Sequence, residues 1–425
     1  MDETGAPDTR AYVLHPDMTG GRGRRSPSHA LEEAVSLADA LPGLEILGAE
    51  VVRLPKPHPG LLFGSGKLEE LKARFEELEV GLVLVDGAVS PVQQRNLEKE
   101  WGVKLLDRTG LILEIFSDRA RTREGVLQVE MAALSYQRTR LVRAWTHLER
   151  QRGGLGFVGG PGETQIEADR RAIDEQILKL KRQLSKVVRT RELHRAARAK
   201  VPFPVVALVG YTNAGKSTLF NRLTGAEVLA KDMLFATLDP TMRGVDLPGG
   251  PRVILSDTVG FISDLPTQLV AAFRATLEEV LSADLIVHVR DISHPETEAQ
   301  AADVADILND LGVDEDVPRL EVWNKIDLMS DEQREAMMTR DARTPDVFAV
   351  SALDGAGIPA LIAAISARLE GERIEEEIFL PYAEGEKRAF LHRGRMVVDE
   401  AEDEAGHRIR LRWTERQKAA FEDIG

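Results

Sequence analysis

The run Val205-Val-Ala-Leu-Val-Gly210-Tyr211-Thr212-Asn213-Ala214-Gly215-Lys216-Ser217-Thr218 constrains the fold of this chain more than any other. Five apolar residues lead into a glycine, the pattern G-x-x-x-x-G-K-S follows, and Leu219-Phe220-Asn221-Arg222-Leu223 continues at helical spacing. A buried strand before and a helix after is the context in which a phosphate-binding loop works. Gly210 and Gly215 free the backbone to turn its N–H groups inward as an anion nest, and the helix N-terminus adds its positive dipole end. In such a loop Lys216 brings charge to the β/γ-phosphates and the Ser217 hydroxyl ligates Mg²⁺. A chance glycine-rich turn would have to fill every fixed position and both flanks. The run therefore predicts a nucleotide bound in an α/β domain.

At 425 residues the chain has room for about three domains at ~150 residues each, every one with its own core. It has no Cys, which excludes disulfides, thiolate metal centres and a Cys nucleophile, and fits a reducing compartment. The first eight residues are acidic and lack the apolar stretch of a signal peptide, and no apolar run approaches the ~18 residues of a membrane helix. These features predict a cytoplasmic protein without a membrane span. A net charge of −15 argues against a nucleic-acid partner, but the charge is unevenly spread. Residues 117–200 hold 19 Lys and Arg against 10 Asp and Glu, a local +9, which leaves −24 on the remainder. One basic segment in an acidic protein suggests contact with a polyanion, although a solvated face is the ordinary explanation of such charge.

Four parts follow from the patterning. Residues 1–116 alternate strand and helix candidates and predict an α/β domain with a largely parallel sheet. Within it Gly64-Ser-Gly-Lys67 echoes a phosphate loop but lacks the leading glycine, and is better explained as a turn into a helix. In 117–200, Leu127, Leu134, Leu141 and Leu148 recur every seven residues, and Ile166, Ile173, Ile177, Leu180, Leu184 and Val187 follow at 7, 4, 3, 4 and 3. Two such seams predict an antiparallel helical hairpin with basic outer faces. Its connector, Gly153 to Gly162, contains six glycines. It contains a formal G-x-G-x-x-G, but a helix rather than a strand precedes it, against a dinucleotide site. It is either a flexible link or a tip that lies against a partner, with Phe157 able to stack on a base. Residues 201–370 form the nucleotide domain, and 371–425 a small α/β appendage with no evident chemistry.

Four further elements follow the phosphate loop in order. Phe235-Ala236-Thr237-Leu238-Asp239 is a polar loop whose threonine can complete Mg²⁺ with its hydroxyl and bond a γ-phosphate through its N–H. Val253-Ile-Leu-Ser-Asp257-Thr258-Val259-Gly260 is an apolar strand ending in Asp-x-x-Gly. There Asp257 supports the metal and the Gly260 N–H contacts the γ-phosphate. Asn324-Lys325-Ile326-Asp327 closes another apolar strand. Asp327 can accept from guanine N1–H and its exocyclic amine, whereas adenine offers neither donor, and the Lys325 stem can cover a base face. Ser351-Ala352-Leu353 ends the next strand, with N–H groups able to reach guanine O6. Each motif alone is weak; all five at one sheet edge predict a guanine-nucleotide switch.

The chain thus resembles the HflX family, in the Obg–HflX group of translation-factor-related GTPases. The resemblance rests on 210–217, 235–239, Asp257-Thr-Val-Gly-Phe-Ile262, 324–327 and Gly159-Gly-Pro-Gly-Glu-Thr-Gln-Ile-Glu167, the last lying outside the nucleotide site. It implies a GTPase that binds the ribosome, chiefly the large subunit and its RNA, and that splits or rescues stalled ribosomes under stress. By this resemblance GTP or GDP is held by 210–218, 235–239, 257–260, 324–327 and 351–353. Mg²⁺ lies on Ser217 and Thr237, and Lys216, Thr237 and Gly260 act in catalysis. The chain is expected to act as a monomer. Phe261 stands where many small GTPases carry a water-positioning glutamine, which predicts slow hydrolysis until a partner orders the site. Asn213 either resembles the K⁺-coordinating asparagine of some related GTPases or stabilises a turn. Two alternatives remain: a metabolic P-loop kinase, against which Asn324–Asp327 argues, and an RNA remodeller using the N-terminal half with ATP.

Overall fold

The computed structural model describes residues 9–18, 25–151, 161–199, 203–226, 234–235, 237–238, 240–248, 252–263, 277, 279–314, 316–341, 344–369, 373–394, 396–403, 405–422 and 424. Residues 153–160 of the glycine-rich connector, Phe157 among them, and also Ala236 and Asp239 lie outside these residues.

The first sheet contains β1 (Thr9–Asp17), β2 (Leu44–Arg53), β3 (Leu82–Val85) and β4 (Lys104–Asp107), all parallel in the order β2-β1-β3-β4. Period-2 alternation sends Ala11 and Val13 to one face and Tyr12 and Leu14 to the other. Helices α2 (Ser65–Glu77) and α3 (Pro91–Trp101) cover the second face with Leu71, Phe75, Leu97 and Trp101. Helix α3 starts where its sequence dictates. Pro91 occupies the first turn, the Gln93 N–H donates to Ser90 Oγ at 3.2 Å, and the Ser90 N–H donates to Gln93 Oε1 at 2.9 Å. This reciprocal cap satisfies two otherwise orphaned donors. The Gly64-Ser-Gly-Lys67 segment opens α2, and Lys67 spends its charge on Glu50 and Glu70.

The opposite face carries α1 (Pro27–Asp39) and α4 (Arg108–Arg119). The sequence reading places no helix between Asp107 and the paired helices of 117–200, yet α4 starts there, capped by Asp107 Oδ1 accepting from the Gly110 N–H at 2.8 Å. Its apolar residues Leu111, Ile112, Leu113, Ile115 and Phe116 span more of the helix circumference than one sheet face can cover. The surplus packs on Phe235, Leu238, Val259, Phe261 and Ile262 of the next unit, so one hydrophobic cluster runs through both. This differs from the expectation of a separate core for each domain.

Helices α5 (Arg123–Gln151) and α6 (Pro161–Ala199) pack along one another. Leu127, Ile177 and Leu180 are buried, and Arg138 bridges Asp174 at 2.9 Å. Tyr136 and Arg140 tie α5 to Asp107 at 2.6 and 3.0 Å.

The second sheet contains β5 (Val205–Gly210), β6 (Thr241–Asp246), β7 (Arg252–Asp257), β8 (Leu285–Asp291), β9 (Arg319–Asn324) and β10 (Val347–Ala349) in the order β10-β9-β8-β5-β7-β6. Only the edge strand β6 is antiparallel. Around it stand α7 (Lys216–Thr224), α8 (Thr297–Asp310), α9 (Asp331–Asp341) and α10 (Ile358–Leu369). Central β5 reverses the strand order, which opens a crevice at its carboxyl end. The third sheet, β11 (Arg373–Pro381), β12 (Val397–Glu402) and β13 (Gly406–Thr414), is antiparallel and packs with α11 (Gly385–Arg393) and α12 (Glu415–Glu422) around Leu391, Ile409, Leu411 and Trp413. The architecture is α/β throughout its sheets. Among the described residues no helix is long and apolar enough to cross a membrane.

Candidate nucleotide site

The crevice at the end of β5 is where the sequence motifs meet. Gly215 has φ +91°, a conformation that L side chains rarely adopt, and a Cβ there would run into the Asn324 amide. Helix α7 starts at Lys216, whose Nζ is buried and donates to the Tyr211 carbonyl at 2.8 Å. Burial pushes the Lys216 ammonium down to about 8, against the opposing pull of Asp257. A cation so poorly solvated gains strongly from an incoming polyphosphate.

Beside Lys216, three oxygens converge from three elements. Ser217 Oγ lies 2.9 Å from Thr237 Oγ1, and both hydroxyls donate to Asp257 Oδ2, at 2.6 and 2.9 Å. Asp257 is fully buried, and its Oδ1 has no hydrogen-bond partner among the described residues. Burial raises its pKa, partly offset by Lys216 and the two hydroxyls. Clustered hard oxygens with an orphaned carboxylate atom suit Mg²⁺. Among the described residues no cluster of three His, Cys, Asp or Glu side chains could cage a metal. Ser217, Thr237 and Asp257 are the residues that would hold a divalent cation here.

The segment after Asp257 is stitched onto the phosphate loop. The Thr212 N–H donates to the Phe261 carbonyl at 2.7 Å, and the Phe261 N–H donates to the Gly210 carbonyl at 3.1 Å. Thr258 Oγ1 donates to the Leu208 carbonyl at 2.7 Å, and Val259 is buried below. The Phe261 side chain is only 2% exposed and lies in the shared apolar cluster, so it has no polar group to offer a water. Asn213 has φ +59°, the left-handed conformation that asparagine tolerates in turns. Phe235 is also left-handed, at +55°.

Asn324 is buried and spans the crevice. Its Nδ2 donates to the Ala214 carbonyl at 2.8 Å, and its Oδ1 accepts from the Ala352 N–H at 2.9 Å. It therefore braces the phosphate loop against the loop 351–353. The Ser351 N–H is likewise used internally, donating to the Ala356 carbonyl at 2.9 Å. Lys325 pairs with Asp291 at 2.8 Å. Asp327 lies partly exposed in the single 3₁₀ turn Ile326–Leu328, and Leu328 beside it is 66% exposed. Arg222 of α7, which sequence reasoning missed, donates through Nε to the Ala352 carbonyl at 3.1 Å and through Nη2 to that of Leu353.

Comparison with known proteins fits this geometry. Family models match residues 28–117 (GTP-binding GTPase N-terminal), 119–198 (GTP-binding GTPase Middle Region), 205–325 (50S ribosome-binding GTPase) and 336–423 (HflX C-terminal domain). The chain is 51% identical over 401 residues to GTPase HflX of Magnetococcus marinus, covering 94% of this chain and 91% of that one. This chain belongs to the HflX family of GTPases. The HflX protein of Escherichia coli is 45% identical over 377 residues, covering 88% and 87% of the two chains. Among solved structures, the SsGBP–GDP complex is similar with a TM-score of 0.48 and 24% identity, covering 85% of this chain and 99% of that one.

The HflX-family site also draws on residues far from its motifs. The Tyr211 hydroxyl bonds Glu33 of α1, and the Ser263 N–H donates to it at 2.8 Å. Arg108, at the start of α4, donates to the Ser263 carbonyl at 2.8 Å. Burial and the charge of Glu33 raise the Tyr211 phenol well above its ordinary range, so it remains a neutral donor. Burial lowers the Arg108 pKa, but Asp86 and Glu33 outweigh it and hold the guanidinium firmly charged. No local motif marks these residues; only recognition of α4 as a helix could have suggested them.

Proposed function

We propose that this GTPase binds GTP with Mg²⁺ at 210–218, 235–239, 257–260, 324–327 and 351–353. In this reading it hydrolyses the γ-phosphate slowly alone and faster on the large ribosomal subunit. The observation that carries the reading is the convergence of Lys216, Ser217, Thr237 and Asp257 under a phosphate loop braced by Asn324. Bound Mg²⁺ would rest on Ser217 and Thr237 with Asp257 behind them, and supplies charge neutralisation at the β/γ oxygens. Lys216 adds a second positive charge there. The Thr237 and Gly260 N–H groups face the γ-phosphate, and Asp327 selects guanine through two accepted hydrogen bonds.

No side chain at Phe261 orients the attacking water, so the chemistry waits for an ordering partner. The basic helices α5 and α6 within 117–200 are suited to ribosomal RNA, and the residues 205–325 match a model described as a 50S ribosome-binding GTPase. Splitting or rescue of stalled ribosomes is the cellular role this reading favours. Residues 1–116 and 371–425 then act as flanking units of one cytoplasmic monomer.

Turnover of purified protein is expected to rise at least ~10-fold on adding large subunits, as it does when a partner completes a GTPase site. Single-turnover release of phosphate measures this, and a rate indifferent to subunits would refute the partner-completed site. Asn213 is tested separately by hydrolysis in NaCl and in KCl. Its left-handed turn geometry predicts equal rates, whereas a K⁺-coordinating role predicts faster turnover in KCl.

A further inference from the structure

Two loops that flank the γ-phosphate position are held by one helix from outside the nucleotide fold. At its first turn, Arg108 of α4 donates to the Ser263 carbonyl at 2.8 Å, two residues beyond Phe261. Ser263 is itself a hub. Its hydroxyl lies 2.6 Å from the Tyr211 hydroxyl, accepts from Arg25 Nη1 at 2.9 Å, and donates to Asp303 at 2.7 Å. Arg108 is anchored in turn by Asp86 at 2.5 Å and Glu33 at 2.7 Å. Arg25 pairs with Glu33 and Glu296, each at 3.0 Å. Arg108 and Glu33 side chains are each only 8% exposed, so this is a desolvated network with directional partners.

At its other end α4 places Phe116 edge-on against Phe235, with ring centroids 4.8 Å apart and planes at 83°. Phe235 stands two residues before Thr237, whose hydroxyl already lies against Ser217 and Asp257. Arg108 and Phe116 are eight residues apart, about 12 Å along a rigid helix. The helix therefore fixes the spacing between the Thr237 loop and the Phe261–Ser263 segment. The side chains that would meet Mg²⁺ are gathered while both ends of α4 are engaged.

We propose that Arg108, Glu33 and Phe116 are positioning residues through which the N-terminal α/β unit favours the GTP-bound over the GDP-bound form. Resting on the GTPase reading, the inference adds a determinant of nucleotide state outside the nucleotide fold. GDP makes no demand on the Thr237 loop or the Gly260 N–H, so loosening α4 weakens GTP selectively. By linkage, GTP must tighten α4 to the same degree.

The test measures affinities of the full chain, with Mg²⁺, for GDP and for a non-hydrolysable GTP analogue. Phe116→Ala is expected to weaken the analogue 5- to 20-fold with GDP within twofold, and Phe116→Leu to recover most of the loss. Glu33→Gln should shift the same ratio in the same direction. Hydrogen exchange on the unaltered protein supplies a readout that needs no variant: amides of 108–119 should exchange more slowly with the analogue than with GDP. Equal weakening of both nucleotides, an unchanged ratio, or identical exchange in the two states would each overturn the proposal. Failure of the unaltered protein to bind either nucleotide would instead strike the GTP reading itself.

Discussion

Asp327→Asn is expected to lower affinity for guanine nucleotides by at least ~100-fold and to create affinity for xanthine nucleotides. Guanine presents two donors side by side, N1–H and the exocyclic amine. A carboxylate accepts both, and each charge-assisted bond is worth about 1.5–3 kcal/mol. Asparagine has one acceptor and turns its NH₂ toward guanine's amine, so one bond is lost and one donor is left facing another. Xanthine carries a carbonyl in place of that amine and restores complementarity with the asparagine amide. Asn324 is untouched by this change, since its own amide is occupied in holding the two loops together. Competition of GDP and XDP against a fluorescent nucleotide measures the switch. A variant that loses both nucleotides equally would mean that Asp327 is structural.

The second large effect is predicted at Gly260. A Cβ there would lie 2.8 Å from both Thr212 Cα and Cγ2 and 3.1 Å from Lys216 Nζ. Neither neighbour can yield easily. Thr212 is tied by its N–H to the Phe261 carbonyl, and Lys216 is buried against the Tyr211 carbonyl. Gly260→Ala must therefore lift the segment off the phosphate loop and, on the proposed reading, withdraw its N–H from the γ-phosphate. Removing one donor from a developing charge costs about 100- to 1,000-fold in rate. Hydrolysis should fall by that amount even with ribosomes present, while GDP, which does not reach that N–H, binds within about threefold of normal. Parallel GDP titration and single-turnover assays separate the two. Rates that survive would remove Gly260 from the catalytic arrangement.

The nucleotide fold was legible in the sequence because its motifs are local. Strands β5, β7, β9 and β10 of the second sheet each lead into a short signature, and these signatures lie at the carboxyl edge where the reversal of strand order opens the crevice. The paired helices were legible for the same reason, since Ile177 and Leu180 continue a period visible without any tertiary information. Helix α4 was not legible. Its apolar residues are too dense for a clean one-faced stripe, and that density reflects two partners rather than one. Arg108 and Glu33 look like ordinary surface charges in sequence and become buried partners only after folding brings Ser263 and Tyr211 to them. Asn324 shows a subtler limit. Its motif predicts a part in holding the nucleotide, and the structure adds that both amide atoms brace neighbouring loops.

The central claim is that GTP at this site governs attachment to the ribosome. Cosedimentation of the full chain with large ribosomal subunits, in a non-hydrolysable GTP analogue and in GDP, tests it most directly. The account predicts stoichiometric pelleting with the analogue and at least ~10-fold weaker pelleting with GDP, the range over which bound ligands commonly couple to a second site. Equal pelleting in the two nucleotides would contradict it.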